Sequence, residues 1–297
     1  MEGSSTEGRN PRSIGIDERP VEEVLRIINS EDHRVPAAVA REIPRITEAA
    51  EAISAAIRGG GRVLFAGAGT SGRLAVMEAA EMPPTFGVPP DTFQAVIVGG
   101  PEAVFCSVEE AEDDEDAGRR ALEERGVGRS DVLVALSASG TTSFTLGALR
   151  KAEEKGARTV AVTCNPGSIL AKSAEIAITP DVGAEVVAGS TRMKAGTAQK
   201  LVLNMLTTAA MIRLGKVYDG YMIGVRPVSR KLRARARRIV AAVAGLKVEE
   251  AEEALERADC DVEVAILMAR TGAPSEEAKR ALHQSDGSLR KALKMLR

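Results

Sequence analysis

The 297-residue chain has no tryptophan, and aromatic residues make up 2% of it. That scarcity argues against a platform of rings for stacking bases, as single-strand nucleic-acid binders use. Charge of one sign is also lacking: the net charge is −2, so nothing draws the whole molecule to nucleic acid or to a membrane. The three cysteines, Cys106, Cys164 and Cys260, are odd in number and far apart, which speaks against a disulfide framework or a zinc site and fits a reducing cytoplasm. No apolar leader opens the chain, so no signal peptide is expected. The longest apolar stretch, "LVLNMLTTAAMIRLG" (201–215), is too short and too polar to span a bilayer and reads as a buried helix. The only histidines are His33 and His283, and neither stands beside a nucleophile or a ligand pattern.

What is present is an alternation. After a polar arm (6–17) and helical patterns at about 20–30 and 37–58, short β-branched runs at 62–67, 93–100, 131–140, 157–165 and 175–180 alternate with helices. This predicts an α/β fold: a doubly wound, five-stranded parallel sheet covered on both faces, with N-terminal helices. A long helix is expected from about 192 to 214. Beyond "VRPVS" (225–229) only short helical patterns remain, so a boundary is expected there, with 1–225 as one domain and 226–297 as a small helical one. Residues 226–297 carry a net +5 and the remainder −7, the basic excess lying mainly in "RPVSRKLRARARR" (226–238). Without interleaved aromatics this is read as a solvated helix face.

Ligands of open parallel sheets bind beyond the carboxyl ends of strands, which directs attention to the loops there. "GAGTSG" (67–72) and "SASGTT" (137–142) both mix glycine with hydroxyl side chains, and both feed a helix. Small residues admit an anion, hydroxyls hydrogen-bond it, and a helix start adds free N–H groups. Two such loops point to a sugar phosphate. A dinucleotide fits less well, because the second strand ends in "VIVGG" without the ribose-binding carboxylate. At 190–194, Ser190, Thr191, Arg192 and Lys194 gather at the start of the long helix, a further anion site or simply a capped helix with basic neighbours.

Two carboxylate groups stand out. Glu78 and Glu81 lie at i, i+3 just before Pro83-Pro84, which are expected to end the helix near Met82. The C-terminal end of a helix favours a neutral carboxyl, as a general acid requires, although spacing alone is equally met by exposed helix glutamates. Ten residues separate Glu81 from Ser71, roughly 15 Å of helix, so Glu81 suits a site other than that of its own loop, such as one in a second subunit. The acidic run "VEEAEDDEDAG" (108–118) reads, on charge alone, as a solvated helix start.

Specific motifs run through nearly the whole chain: "TEGRN" (6–10), "INSEDHRVPAAV" (28–39), "GAGTSGRL" (67–74), "AAEMPPTFG" (79–87), "AEDDEDAG" (111–118), "SASGTT" (137–142), "CNPGS" (164–168) and "GAEVVAGSTRMKAGTAQK" (183–200). Together they resemble the N-acetylmuramic acid 6-phosphate etherases, whose sugar isomerase (SIS) domain is shared with the glucokinase regulatory protein. The resemblance implies a cytoplasmic lyase that releases D-lactate from N-acetylmuramic acid 6-phosphate, leaving N-acetylglucosamine 6-phosphate, with no metal or redox cofactor. It implies Glu81 as the acid and Glu112 as the base, lifting Glu112 out of the solvated run, and gives Glu78 no role. By analogy with SIS domains, Ser71, Thr70, Ser137, Ser139 and Thr142 would bind substrate, with Arg192 and Lys194 as further contacts. A homodimer and a small UBA-like C-terminal domain are also implied. The alternatives are a non-catalytic sugar-phosphate sensor and an aldose–ketose isomerase.

Overall fold

A computed structural model describes residues 7–106, 108 and 112–296. The chain divides into two compact units, residues 1–79 with 91–207, and residues 80–90 with 208–297.

The first unit opens with single 3-10 turns at Pro11–Ser13 and Ile16–Glu18, then helices α1 (Val21–Asp32), α2 (Arg34–Arg41) and α3 (Ile43–Arg58). The long helical pattern at 37–58 is thus broken at Glu42, where Pro44 opens α3. Prolines lack the N–H that an interior position donates, and the first turn of a helix is where that loss is harmless. Strands β1 (Val63–Gly67), β2 (Phe93–Ile97), β3 (Val132–Leu136), β4 (Arg158–Val162) and β5 (Ile176–Ile178) alternate with helices α4 (Gly69–Phe86), α5 (Glu115–Glu124), α6 (Ser143–Glu154) and α7 (Ile169–Ser173), and α8 (Lys194–Arg213) follows. All pairings are parallel, in the order β2-β1-β3-β4-β5. The doubly wound five-stranded sheet expected from the alternation is therefore present. Every residue of β1 and β3 is buried, which explains why their sequences run apolar without alternating. Strand order reverses between β1 and β3, so a crevice opens there beyond Gly67 and Leu136, which pair in register.

Pro83 and Pro84 do not end α4. The helix continues to Phe86, and Gly87 N donates to Pro83 O at 2.9 Å, with Gly87 in the left-handed conformation (φ +68°) as the stop. The prolines delete two hydrogen bonds from the interior of the helix without breaking it. Glu81 is thus more than a turn from the helix end, and the end-of-dipole argument for its role does not hold. Glu78 faces inward, where it accepts hydrogen bonds from Asn204 Nδ2 (2.7 Å) and Thr207 Oγ1 (2.5 Å), both on α8; Glu81 is exposed.

In the second unit a short hairpin, β6 (Val217–Tyr218) and β7 (Tyr221–Met222), precedes helices α9 (Arg230–Ala244), α10 (Val248–Arg257), α11 (Val262–Thr271), α12 (Ser275–Gln284) and α13 (Leu289–Met295). Ile223 and Val225 share a core with Val240, Leu255 and Ile266. The second unit begins within α8, after Thr207, and takes in the hairpin and these two apolar residues with the helices that follow.

Candidate active site

Two loops form the floor of a cavity of about 170 Å³ beyond β1 and β3. The first loop contributes Ala68, Gly69, Thr70 and Ser71, and the second Ser137, Ala138, Ser139 and Thr142; Leu136, Glu112, Glu7 and Thr191 complete the lining. Two helices begin at this cavity, α4 at Gly69 and α6 at Ser143, so both direct unpaired N–H groups and partial positive charge toward it. No lysine or arginine is among the lining residues. An anion entering here would meet neutral donors, as at other helix starts.

The second loop is held in shape by its own hydroxyls. Ser137 Oγ accepts from Gly140 N (3.0 Å) and shares a hydrogen bond with Thr142 Oγ1 (2.9 Å), while Ser139 Oγ shares one with Thr141 Oγ1 (3.0 Å). Asn165 Nδ2 donates to Ser139 O at 3.2 Å. Gly140 is required: its φ is +71°, and a Cβ there would collide with Ser168 Oγ. Cys164, behind this loop, is buried; burial pushes its thiol up to about 12, so it is core rather than nucleophile.

In the first loop, Ser71 Oγ donates to Gln199 Oε1 on α8 at 2.9 Å. Gly69 has φ +51°, and a Cβ on it would lie 3.3 Å from Glu112 Oε1. The half-buried Glu112 carboxylate thus lies directly over the first loop. Two residues on, Asp114 caps α5 by accepting from Ala117 N at 2.8 Å, and Glu115 pairs with Arg150 at 2.5 Å. The acidic run is therefore divided between the cavity and a helix start; its residues 109–111 lie outside the described ones.

A family model of the glucokinase regulatory protein N-terminal SIS domain matches residues 45–153, and one of the SIS domain matches residues 119–209. The N-acetylmuramic acid 6-phosphate etherase of Mesorhizobium japonicum is 49% identical over 288 residues, 97% of this chain and 94% of the relative. The etherases of Rhizobium rhizogenes (49% over 293 residues; 99% and 95% covered) and Erwinia tasmaniensis (46% over 289 residues; 97% and 94% covered) align similarly. The chain belongs to the N-acetylmuramic acid 6-phosphate etherase family. Among solved structures, phosphoheptose isomerases from Neisseria gonorrhoeae (TM-score 0.51, 19% identity) and Francisella tularensis (TM-score 0.50, 22% identity) each cover 64% of this chain and 98% of their own. At those identities the likeness is one of fold.

In this etherase-family chain the cavity brings together six of the residues anticipated from sequence: Thr70, Ser71, Glu112, Ser137, Ser139 and Thr142. Three others do not line it. Arg192 is exposed one residue beyond Thr191, and Glu81 is exposed on α4. Lys194 has a different task from substrate contact. It is wholly buried, its Nζ donating to Glu31 Oε2 at 2.6 Å and to Ala184 O at 2.7 Å. Its backbone N–H and that of Ala195 donate to Glu185, which caps α8. Burial pushes the Glu185 carboxyl up, against the pull of those two N–H groups. Glu31 is also fully buried; burial opposes its ionisation, but hydrogen bonds from Lys194 and Asn10 and the charge of Arg34 prevail and hold it below the usual carboxylate range. Sequence reasoning had no sign that Glu7, Gln199 or Glu31 belonged to this assembly. "TEGRN" and "KAGTAQK" carried the family resemblance, but the contacts span 128 residues or more for Ser71–Gln199 and Lys194–Glu31 and follow no local periodicity.

Proposed function

We propose that the chain cleaves the D-lactyl ether of N-acetylmuramic acid 6-phosphate, with loop 137–142 and the start of α6 holding the phosphate and Glu112 as the base. One observation carries this reading: a carboxylate lies over one hydroxyl-bearing loop and faces a second, in a cavity where two helix starts receive an anion. In the open-chain sugar the aldehyde acidifies the proton on carbon 2. Glu112 takes that proton, the carbon 2–carbon 3 double bond forms, and the carbon 3–oxygen bond breaks as Glu81 protonates the departing lactate oxygen. Water then adds: its hydroxyl joins carbon 3, its proton returns to Glu81, and Glu112 gives its proton back to carbon 2. The products are N-acetylglucosamine 6-phosphate and D-lactate, and both glutamates regain their starting states.

Glu81 enters this scheme from a second copy of the chain. Met77 on α4 and Met205 on α8 are exposed by 44% and 39%, apolar side chains that a homodimer would cover. The reading places the homodimer in the cytoplasm, and among the described residues no helix is long and apolar enough to cross a membrane. The test is incubation with N-acetylmuramic acid 6-phosphate and an assay for D-lactate. Tight binding of the sugar phosphate with no lactate released would instead make the chain a sensor. Interconversion of glucose and fructose phosphates would make it an isomerase.

A further inference from the structure

Among residues 7–20 only Asn10 is buried, so this arm has almost no apolar anchor. It is nevertheless fastened. Asn10 Nδ2 donates to Glu31 Oε2 at 2.8 Å and to Ala184 O at 3.0 Å, the same two acceptors that Lys194 Nζ uses. Arg12 N donates to Asn10 Oδ1 at 2.9 Å, and Arg12 Nη1 approaches Glu31 Oε1 at 3.4 Å. A buried ion pair is costly to desolvate and is weak as a source of stability; its plainest use is to fix register. What it registers here is the arm against segment 184–194. Both partners in that junction reach the cavity: Glu7 lies three residues before Asn10, and Thr191 three residues before Lys194. A Cβ on Gly189 would lie 3.3 Å from Glu7 Oε2, so the arm and the segment touch at the cavity as well.

The junction thus delivers a second carboxylate beside Glu112. These two are the only titratable side chains among the lining residues. An ionised carboxylate only accepts hydrogen bonds, so Glu7 does not hold the phosphate; it suits a hydroxyl or amide of the sugar. The reaction proposed above, on which this inference rests, starts from the aldehyde, whereas the sugar rests as a ring. Opening the ring requires a base for the proton on O1. Glu112 is engaged with carbon 2 and Glu81 with the lactate oxygen.

We propose that Glu7 is the ring-opening group of this site. Its carboxylate takes the proton from O1 as the carbon 1–oxygen double bond forms and the carbon 1–O5 bond breaks. A water protonates O5 and recovers its proton from Glu7, so the carboxylate is regenerated.

Ring opening is observable apart from ether cleavage as the interchange of the two anomers of N-acetylglucosamine 6-phosphate, followed by NMR with catalytic amounts of protein. The wild type is expected to accelerate this interchange. Glu7→Gln is expected to lose it and to release D-lactate about tenfold more slowly or worse, while Glu7→Asp recovers part of both. Asn10→Ala, which frees the arm with Glu7 intact, is expected to lose the acceleration too. Anomer interchange at the wild-type rate in Glu7→Gln overturns the proposal, and so does a wild type that releases lactate without accelerating interchange. A wild type that accelerates interchange but releases no lactate overturns the etherase reading and leaves the ring-opening role of Glu7 standing.

Discussion

Ser71 Oγ donates its hydrogen bond to Gln199 Oε1 across 2.9 Å, with both side chains buried. A hydroxyl has one proton, and here it is spent inward. Ser71 therefore offers the cavity only lone pairs: it accepts from a sugar hydroxyl or amide and does not donate to a phosphate oxygen. In the proposed reading the phosphate is left to the loop 137–142 and the start of α6. Gln199→Met keeps the shape of the side chain but removes the acceptor. KM is expected to rise about fivefold, the worth of one hydrogen bond of about 1 kcal/mol, with kcat within about twofold. Ser71→Ala should give the same rise, and the double variant no more than either alone. Full additivity in steady-state kinetics would show that the two side chains act separately.

Glu78 and Glu81, three residues apart on one helix, separate cleanly in their expected effects. Glu78→Ala leaves Asn204 Nδ2 without its acceptor and turns the buried Thr207 hydroxyl to Leu203 O, 3.1 Å away, at a cost of about 1–2 kcal/mol in urea unfolding. Its lactate release per folded molecule is expected to be normal. Glu81→Gln, an exposed change, should unfold like the wild type and release no lactate. A destabilised Glu81→Gln, or an inactive but stable Glu78→Ala, would reverse the assignments.

The two glutamates proposed as acid and base are distinguished by exchange. Glu81→Gln removes the acid that serves the leaving oxygen but not the base, so solvent hydrogen should still enter carbon 2 of the sugar. Glu112→Gln removes the base, and exchange at carbon 2 should fall by at least about 10²-fold. Mass spectrometry of substrate recovered from deuterium oxide reads both variants; normal exchange in Glu112→Gln would remove it from the base role.

How much of this was legible beforehand follows from the range of each interaction. The sheet was readable because β1, β3 and β4 are short apolar runs set between helices, a local pattern that parallel burial imposes. The loops 67–72 and 137–142 could be paired beforehand because each sets glycine and hydroxyls between a strand end and a helix start, and residues of both line the cavity. The end of α4 was misread at Pro83, because proline chemistry forbids a hydrogen bond without forbidding the helix, and Gly87 was the true stop. Lys194 was misread for a different reason. A cation at a helix start resembles an anion site, and nothing within its neighbourhood in sequence announces Glu31, 163 residues away.

At the opening of β3, the far end of the strand from Ser137, Asp131 accepts from Arg62 N (2.8 Å), Arg62 Nη2 (2.8 Å) and Gly128 N (3.0 Å). Burial opposes its ionisation, but the Arg62 side chain and these two backbone N–H groups outweigh burial and hold the carboxyl below the usual range. The folded carboxyl is thus more acidic than the unfolded one. Its contribution is complete above the unfolded pKa, about 3.9, and is lost as the pH falls below that toward the folded value. Asp131→Asn should therefore cost about 2–3 kcal/mol at pH 7, with the gap to the wild type narrowing below about pH 4. Lactate release at pH 7 is expected to be unchanged, because neither Asp131 nor its partners line the cavity. Urea unfolding of both proteins at the two pH values decides the matter: a gap of equal size at each would mean that the charge on Asp131 contributes nothing, and that shape alone accounts for its place at the head of the strand.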